Sequence, residues 1–138
     1  MTDLTRLPAS DLSELIATKK VSPVELTDAV LARAERLQPM LNCFVTLVPE
    51  QARPAAKAAE EAVMKGAPLG LLHGIPFAAK DLVNTAGVRT TFGSLLYENN
   101  VPKEDAVCAA RVKAAGGILV GKTTTPEFGH KSLTDGPL

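Results

Sequence analysis

Two short runs constrain this chain most. Ile75 to Lys80 and Ile118 to Val120 are apolar at successive positions up to Lys80, not at every second one. Successive strand residues face opposite sides of a sheet. A continuous apolar run therefore suits a strand covered on both faces, the situation of layered α/β proteins. Each run follows a helix-like segment. Glu50 to Lys65 is Ala-rich and closes at Gly66, where a helix needs a left-handed residue. Asp105 to Ala115 closes at Gly116-Gly117, with Val107, Ala110 and Ala114 on one face. Helix, strand, helix, strand with short links predicts an α/β architecture.

The first 42 residues read as helical. Ser10 to Glu14 opens a helix with Leu12, Leu15 and Ile16 on one face and Ser10 as its cap. Ser22-Pro23-Val24-Glu25 is a stronger start, with Ser22 as cap, Pro23 at the first helical position and Glu25 closing a capping box. Leu26, Val30, Ala34, Leu37 and Leu41 follow as one buried stripe, and Pro39 ends or kinks the helix late. Cys43 to Val48 reads as a strand. In the Ala-rich helix after it, Pro54 fits only near the first turn. Beyond Thr125-Pro126 no strong element is predicted, and Thr134 to Leu138 is turn chemistry.

Composition narrows the function classes. Fifteen basic and fifteen acidic residues cancel, and Lys19-Lys20 is the only adjacent basic pair, which argues against capture of nucleic acid or an anionic membrane. No apolar run approaches the roughly 18 residues of a membrane span, and Met1 to Pro8 has no leader-like apolar stretch. Cytoplasm is the expected location. Cys43 and Cys108 are expected to be buried free thiols. They and the isolated His73 and His130 imply no metal site.

Chemistry concentrates at Lys80. A free lysine has a pKa near 10.4 and is an acid at neutral pH. Burial lowers that value by up to roughly 3–5 units, because the charged form loses water. Ile75, Phe77, Ala78, Ala79 and Leu82 offer apolar surroundings, and Asp81, the next residue on a strand, points to the other face. On the residues alone, the ordinary reading is a lysine at a strand end with its head in water.

Gly116 to Thr123 fits the spacing of a phosphate-binding loop, Gly-x4-Gly-Lys-Thr. The physics of that loop asks for a strand before it and a helix starting at the lysine. Here a helix comes first, the middle residues are strand formers and Pro126 interrupts the segment after the lysine. Nucleotide binding through Lys122 is therefore the weakest of the functional readings. Thr123 to Thr125 with Glu127 reads as a solvated loop.

Three ordered motifs carry a resemblance. Gly74-Ile75-Pro76 leads to Lys80-Asp81; Thr90-Thr91 leads to Gly93-Ser94; Ala115 to Thr123 leads to Glu127-Phe128. In this order they are similar to the amidase-signature enzymes, over about residues 7–138. The resemblance implies the N-terminal part of a mixed sheet with helices on both faces. It makes residues 1–138 a fragment of one larger amidase domain, helical over 1–42 and α/β over 43–138.

The implied activity is cleavage of carboxamides to acid and ammonia by a Ser–cis-Ser–Lys triad without cofactor. Lys80 would be its general base, passing through one serine to a nucleophilic second. Ser10, Ser13, Ser22, Ser94 and Ser132 lie in no Gly-Gly-Ser-Ser-Gly-Gly context. The chain alone is therefore expected to be inactive, with Ser94 lining or supporting the site. The implied partners are a small amide substrate and either a second copy or an amidotransferase partner. The contrasting reading is a non-catalytic α/β module that binds a partner through an open sheet edge.

Overall fold

The computed structural model describes residues 3–137; Met1 and Thr2, part of the leader-free reading of the N-terminus, and Leu138, the last residue of the turn, lie outside the described residues. Four helices and three strands follow in the order α1 (Ala9–Ala17), α2 (Pro23–Leu41), β1 (Phe44–Leu47), α3 (Pro49–Met64), β2 (Pro76–Lys80), α4 (Val107–Ala114) and β3 (Ile118–Thr123). Single 3-10 turns occupy Leu4–Arg6, Leu95–Tyr97 and Glu127–Gly129.

The sheet order is β1-β3-β2. β3 runs antiparallel to β1 and parallel to β2, so the sheet is mixed, as expected. α2 and α3 cover one face, where Leu31, Ala52, Ala56, Ile118 and Val120 form a single cluster. On the other face Val48, Ala79, Val88 and Leu119 pack together, with Phe77 and Val83 against them. Val112 of α4 approaches Phe77 where Gly117 leaves room for both. A third cluster joins α1 to α2 through Leu12, Ile16, Leu26 and Ile75.

The sequence signals explain these elements and need correcting in places. Ser22 caps α2, accepting from Val24 N at 2.9 Å and Glu25 N at 3.4 Å. Its hydroxyl also pairs with Glu60 of α3, so the cap welds two helices together. Ser10 is not a cap: it lies inside α1, whose N-cap is Pro8. The α2 stripe is rotated from expectation. Leu31 is fully buried and Leu41 exposed, because α3 and β3 meet the helix on the Leu31 side. Pro39 does not end α2, which runs on to Leu41 before Asn42 turns left-handed. Pro54 lies in the second turn of α3, on its exposed side.

In α4 the buried residue is Ala109, while Val107, Ala110 and Ala114 are exposed. Cys108 is exposed and Cys43 half-buried, so the two thiols are free, but neither is buried as expected. Two further corrections bear on function. β3 extends past Val120 through Gly121, Lys122 and Thr123, buried almost throughout, so the phosphate-loop spacing is threaded along a strand. β2 is covered on one side only: Ala79 is buried, whereas Ala78 and Lys80 are exposed. No helix among the described residues is long and apolar enough to cross a membrane.

Candidate active site

The candidate site lies at the C-terminal end of β2, where the chain leaves the sheet and enters the loop from Asp81 to Asp105. Parallel strands present their C-terminal ends in this way, and loops there carry the chemistry of many α/β proteins.

Lys80 is the last residue of β2 and is paired in register with Thr123. Its side chain is exposed and joins no ion pair among the described residues. Beside it opens a mostly apolar cavity of about 210 Å³, lined by Phe77, Ala79, Val83, Ala109 and Val112 as well as Lys80 itself. The described residues leave the lysine head uncovered, as the ordinary reading of the residues has it, and the apolar surroundings offered by its sequence neighbours do not enclose it. Ile75 packs with Leu12, Ile16 and Leu26 of the helical region, and Phe77 and Ala79 with Val48, Val88 and Leu119.

Asp81 faces the opposite way and is completely buried. Its carboxylate accepts from Thr91 N at 3.0 Å and 3.2 Å and from the Thr91 hydroxyl. The backbone of Asp81 is tied at both ends: its N–H donates to Thr123 O at 2.9 Å, and its carbonyl accepts from Phe92 N at 3.0 Å. The Thr91 hydroxyl in turn accepts from Gly93 N at 3.1 Å. Gly93 has φ +69°, and a β-carbon there would fall 2.6 Å from the carbonyl oxygen of Thr125. Only glycine suits both the left-handed conformation and the close approach. Ser94 is 1% exposed, and its hydroxyl accepts from Leu96 N at 3.4 Å, capping the 3-10 turn after it.

Lys122, which sequence reasoning considered only for the phosphate loop, is the largest fully buried side chain among the described residues. Its ammonium donates to Thr90 Oγ1 at 2.8 Å, to Thr85 Oγ1 at 3.0 Å and to the carbonyl of Val83. All three protons of the ammonium thus have an acceptor, which is what a buried cation requires. Burial pushes its pKa down to about 8, against the opposing pull of the Asp81 carboxylate. Farther along the same loop, Asp105 accepts from Ala86 N at 2.8 Å and from the Lys113 ammonium at 2.7 Å. Burial works to raise its pKa, but the Lys113 hydrogen bond and the Ala86 N–H outweigh it and hold the carboxyl below its usual range.

The structure therefore joins Asp81, Thr91 and the backbone of Ser94 in one hydrogen-bonded loop that also meets Lys122 through Thr90, while the Lys80 side chain leaves the strand end on the other side. Ser94 lies in the loop wall with its hydroxyl engaged by backbone. Ser10, Ser13 and Ser22 belong to the helical N-terminal region, and Ser132 is exposed past the last turn. Thr125 is buried and Glu127 exposed, so the segment read as solvated is only partly so. His73 does not reach this region; its Nε2 lies 2.9 Å from Ala59 O. Among the described residues no three His, Cys, Asp or Glu side chains are placed to hold a metal ion. An aromatic trio of Phe92, Tyr97 and Phe128 flanks the loop, with Phe92 and Tyr97 edge to face at 5.2 Å.

Comparison with known proteins gives a consistent result. The family model described as Amidase matches residues 25–138. The chain is 44% identical over 135 residues to a glutamyl-tRNA(Gln) amidotransferase subunit from Roseiflexus sp. (strain RS-1), covering 98% of this chain and 28% of that protein. Its backbone superposes with a TM-score of 0.88 on a bacterial aryl acylamidase of the amidase-signature family, 28% identical, over 94% of this chain and 27% of the other. The peptide amidase of Stenotrophomonas maltophilia gives a TM-score of 0.83 and 31% identity, over 89% of this chain and 26% of its own. The chain thus spans little more than a quarter of the length of the proteins it matches.

Proposed function

The chain belongs to the amidase family, and from that premise we propose that it is the lysine-bearing part of an enzyme that cleaves carboxamides. Lys80 is the general base in this reading. It stands accessible at the end of β2, beside an apolar cavity and next to the Asp81–Thr91 hydrogen bonds, and this placement is the observation that carries the proposal.

The chemistry asks little more of this chain. A neutral amine at Lys80 takes a proton from a bridging serine hydroxyl, which takes one from the attacking serine. The attacking oxygen adds to the amide carbonyl, the C–N bond breaks, and the nitrogen leaves as ammonia after receiving the proton. Water then releases the acid from the acyl-enzyme. Both serines belong to sequence outside this chain, so residues 1–138 alone have no turnover. In this reading the exposed side of Lys80 is covered by the serine-bearing remainder of the enzyme.

Two features bear on partners. The similarity to an amidotransferase component supports a variant in which the ammonia passes to a partner protein rather than to water. The exposed side of β2, with Ala78 and Lys80 uncovered, supports an added strand or helix there, whether from the same chain or another.

The test is reconstitution. Residues 1–138 joined to the serine-bearing remainder of a related amidase should release ammonia from a simple aromatic amide, and residues 1–138 alone should not. Turnover by the chain alone, at a rate that survives repurification, would remove the proposal.

A further inference from the structure

Lys80 has an exposed side chain and no ion pair of its own among the described residues, so the direction in which it leaves the sheet is set by its backbone. That backbone is held by an unusual device. Two adjacent threonines are gripped by buried groups of opposite charge. Thr90 accepts from the Lys122 ammonium at 2.8 Å, and Thr91 donates its N–H at 3.0 Å, and its hydroxyl proton, to the Asp81 carboxylate. Both charged residues have zero exposure.

Hydrogen bonds to ionised partners are stronger than neutral ones, and inside a protein they are not competed away by water. Buried charges are also expensive to hold, and breaking one side of such an arrangement leaves an uncompensated charge. Here the arrangement ties the start of the loop to its middle. Asp81 opens the loop directly after Lys80, Thr90 and Thr91 return it, and Lys122 belongs to the neighbouring strand, opposite Ala79. Backbone bonds at the same place complete the closure: Asp81 N to Thr123 O at 2.9 Å, Phe92 N to Asp81 O at 3.0 Å, and Val83 N to Lys80 O at 2.8 Å.

We propose that Asp81 with Thr91, and Lys122 with Thr90, are positioning residues that fix the end of β2 from which Lys80 projects. The proposal deepens the reading of Lys80 as a base and takes its functional meaning from it, but its physical content is testable without any catalysis. The N–H of Asp81 belongs to the peptide that joins it to Lys80, so its hydrogen exchange reports directly on the strand end.

The experiment compares amide exchange by NMR in residues 1–138 and in Thr91→Val and Thr91→Ser. Thr91→Val keeps the shape and the Asp81 charge but removes the hydroxyl donor. The expected result is exchange at least tenfold faster at Asp81 N–H and Phe92 N–H, with Ala56 N–H in α3 unchanged, and recovery to within threefold in Thr91→Ser. Unchanged exchange at Asp81 and Phe92 in Thr91→Val would overturn the proposal. So would an equal acceleration at Ala56, which would mean general destabilisation. Should Thr91→Val fail to fold, Asp81→Asn takes its place, and unaltered exchange at Thr91 N–H and Phe92 N–H would count against the proposal in the same way. Failure of Lys80→Ala to abolish amide cleavage in a reconstituted enzyme would refute the base assignment and leave this exchange result standing.

Discussion

The Lys122 ammonium lies 2.8 Å from Thr90 Oγ1 in a part of the protein with no solvent access, joining a central strand to a loop residue 32 positions earlier. The contact makes a charged residue part of the core and fixes the loop that begins at Lys80. Its consequences can be measured.

Replacing Lys122 by Ala should be strongly destabilising. The substitution empties the volume of the largest fully buried side chain and leaves the Thr85 and Thr90 hydroxyls and the Val83 carbonyl without their donor. A loss of about 3 kcal/mol or more is expected in urea unfolding. Lys122→Met, which keeps the volume and also removes the cost of burying a charge, should lose clearly less.

The same lysine sets a pH dependence. Its folded pKa of about 8 lies below the ordinary value of 10.5, because burial penalises the charged form. Between those two values the unfolded chain holds the proton and the folded chain does not. The unfolded state therefore binds more protons, and stability rises with pH in that window. At about 1.4 kcal/mol for each pKa unit, this group contributes a gain of roughly 3 kcal/mol from pH 8 to above 10, and little change below 8. Unfolding measured across this range should show the rise in the native protein relative to Lys122→Met.

Gly93→Ala should cost about 2 kcal/mol or more. The backbone there has φ +69°, which a residue with a β-carbon adopts only under strain, and the added carbon would press on Thr125 O. Thermal unfolding checks this, and Gly87→Ala is the control: it shares the positive φ but has open space around it, so its loss should be smaller.

Ser22→Ala removes the cap of α2 and the hydroxyl that meets Glu60. A loss of about 1 kcal/mol is expected from the cap, with the larger part of any excess coming from Glu60. Ser10→Ala, inside α1, should be close to neutral in the same denaturant series.

These contacts also explain how much of the molecule could be read from its residues. Local signals worked where the cause was local. Ser22-Pro23 begins α2, Gly66 with φ +68° closes the Ala-rich helix, and the apolar runs at Pro76–Lys80 and Ile118–Val120 are strands. Three ordered motifs carried the family. The buried network was not legible, because the acceptors of Lys122 come from residues 83, 85 and 90, and no periodicity links them to a lysine so far along the chain. A clue was present: Lys122 follows Ile118-Leu119-Val120 with a single glycine between and Thr123, a good strand former, after it, so the strand can run on and carry it inward. The face of α4 was misread for a related reason. A short helix with apolar residues scattered around its circumference offers several apolar stripes, and only tertiary contact selects Ala109.

Lys80 remains the centre of the functional account, and its substitution tests that account most directly. Residues 1–138 carrying Lys80→Ala, joined to the serine-bearing remainder of a related amidase, would be compared with the unsubstituted fusion for ammonia release from an aromatic amide under single-turnover conditions. With a proton acceptor removed from the relay, acylation should slow by a factor of about 100 to 10,000, while circular dichroism and the melting temperature of residues 1–138 alone carrying Lys80→Ala stay unchanged, since the Lys80 side chain is exposed in this chain. Acylation at an undiminished rate in the folded Lys80→Ala protein would contradict the account.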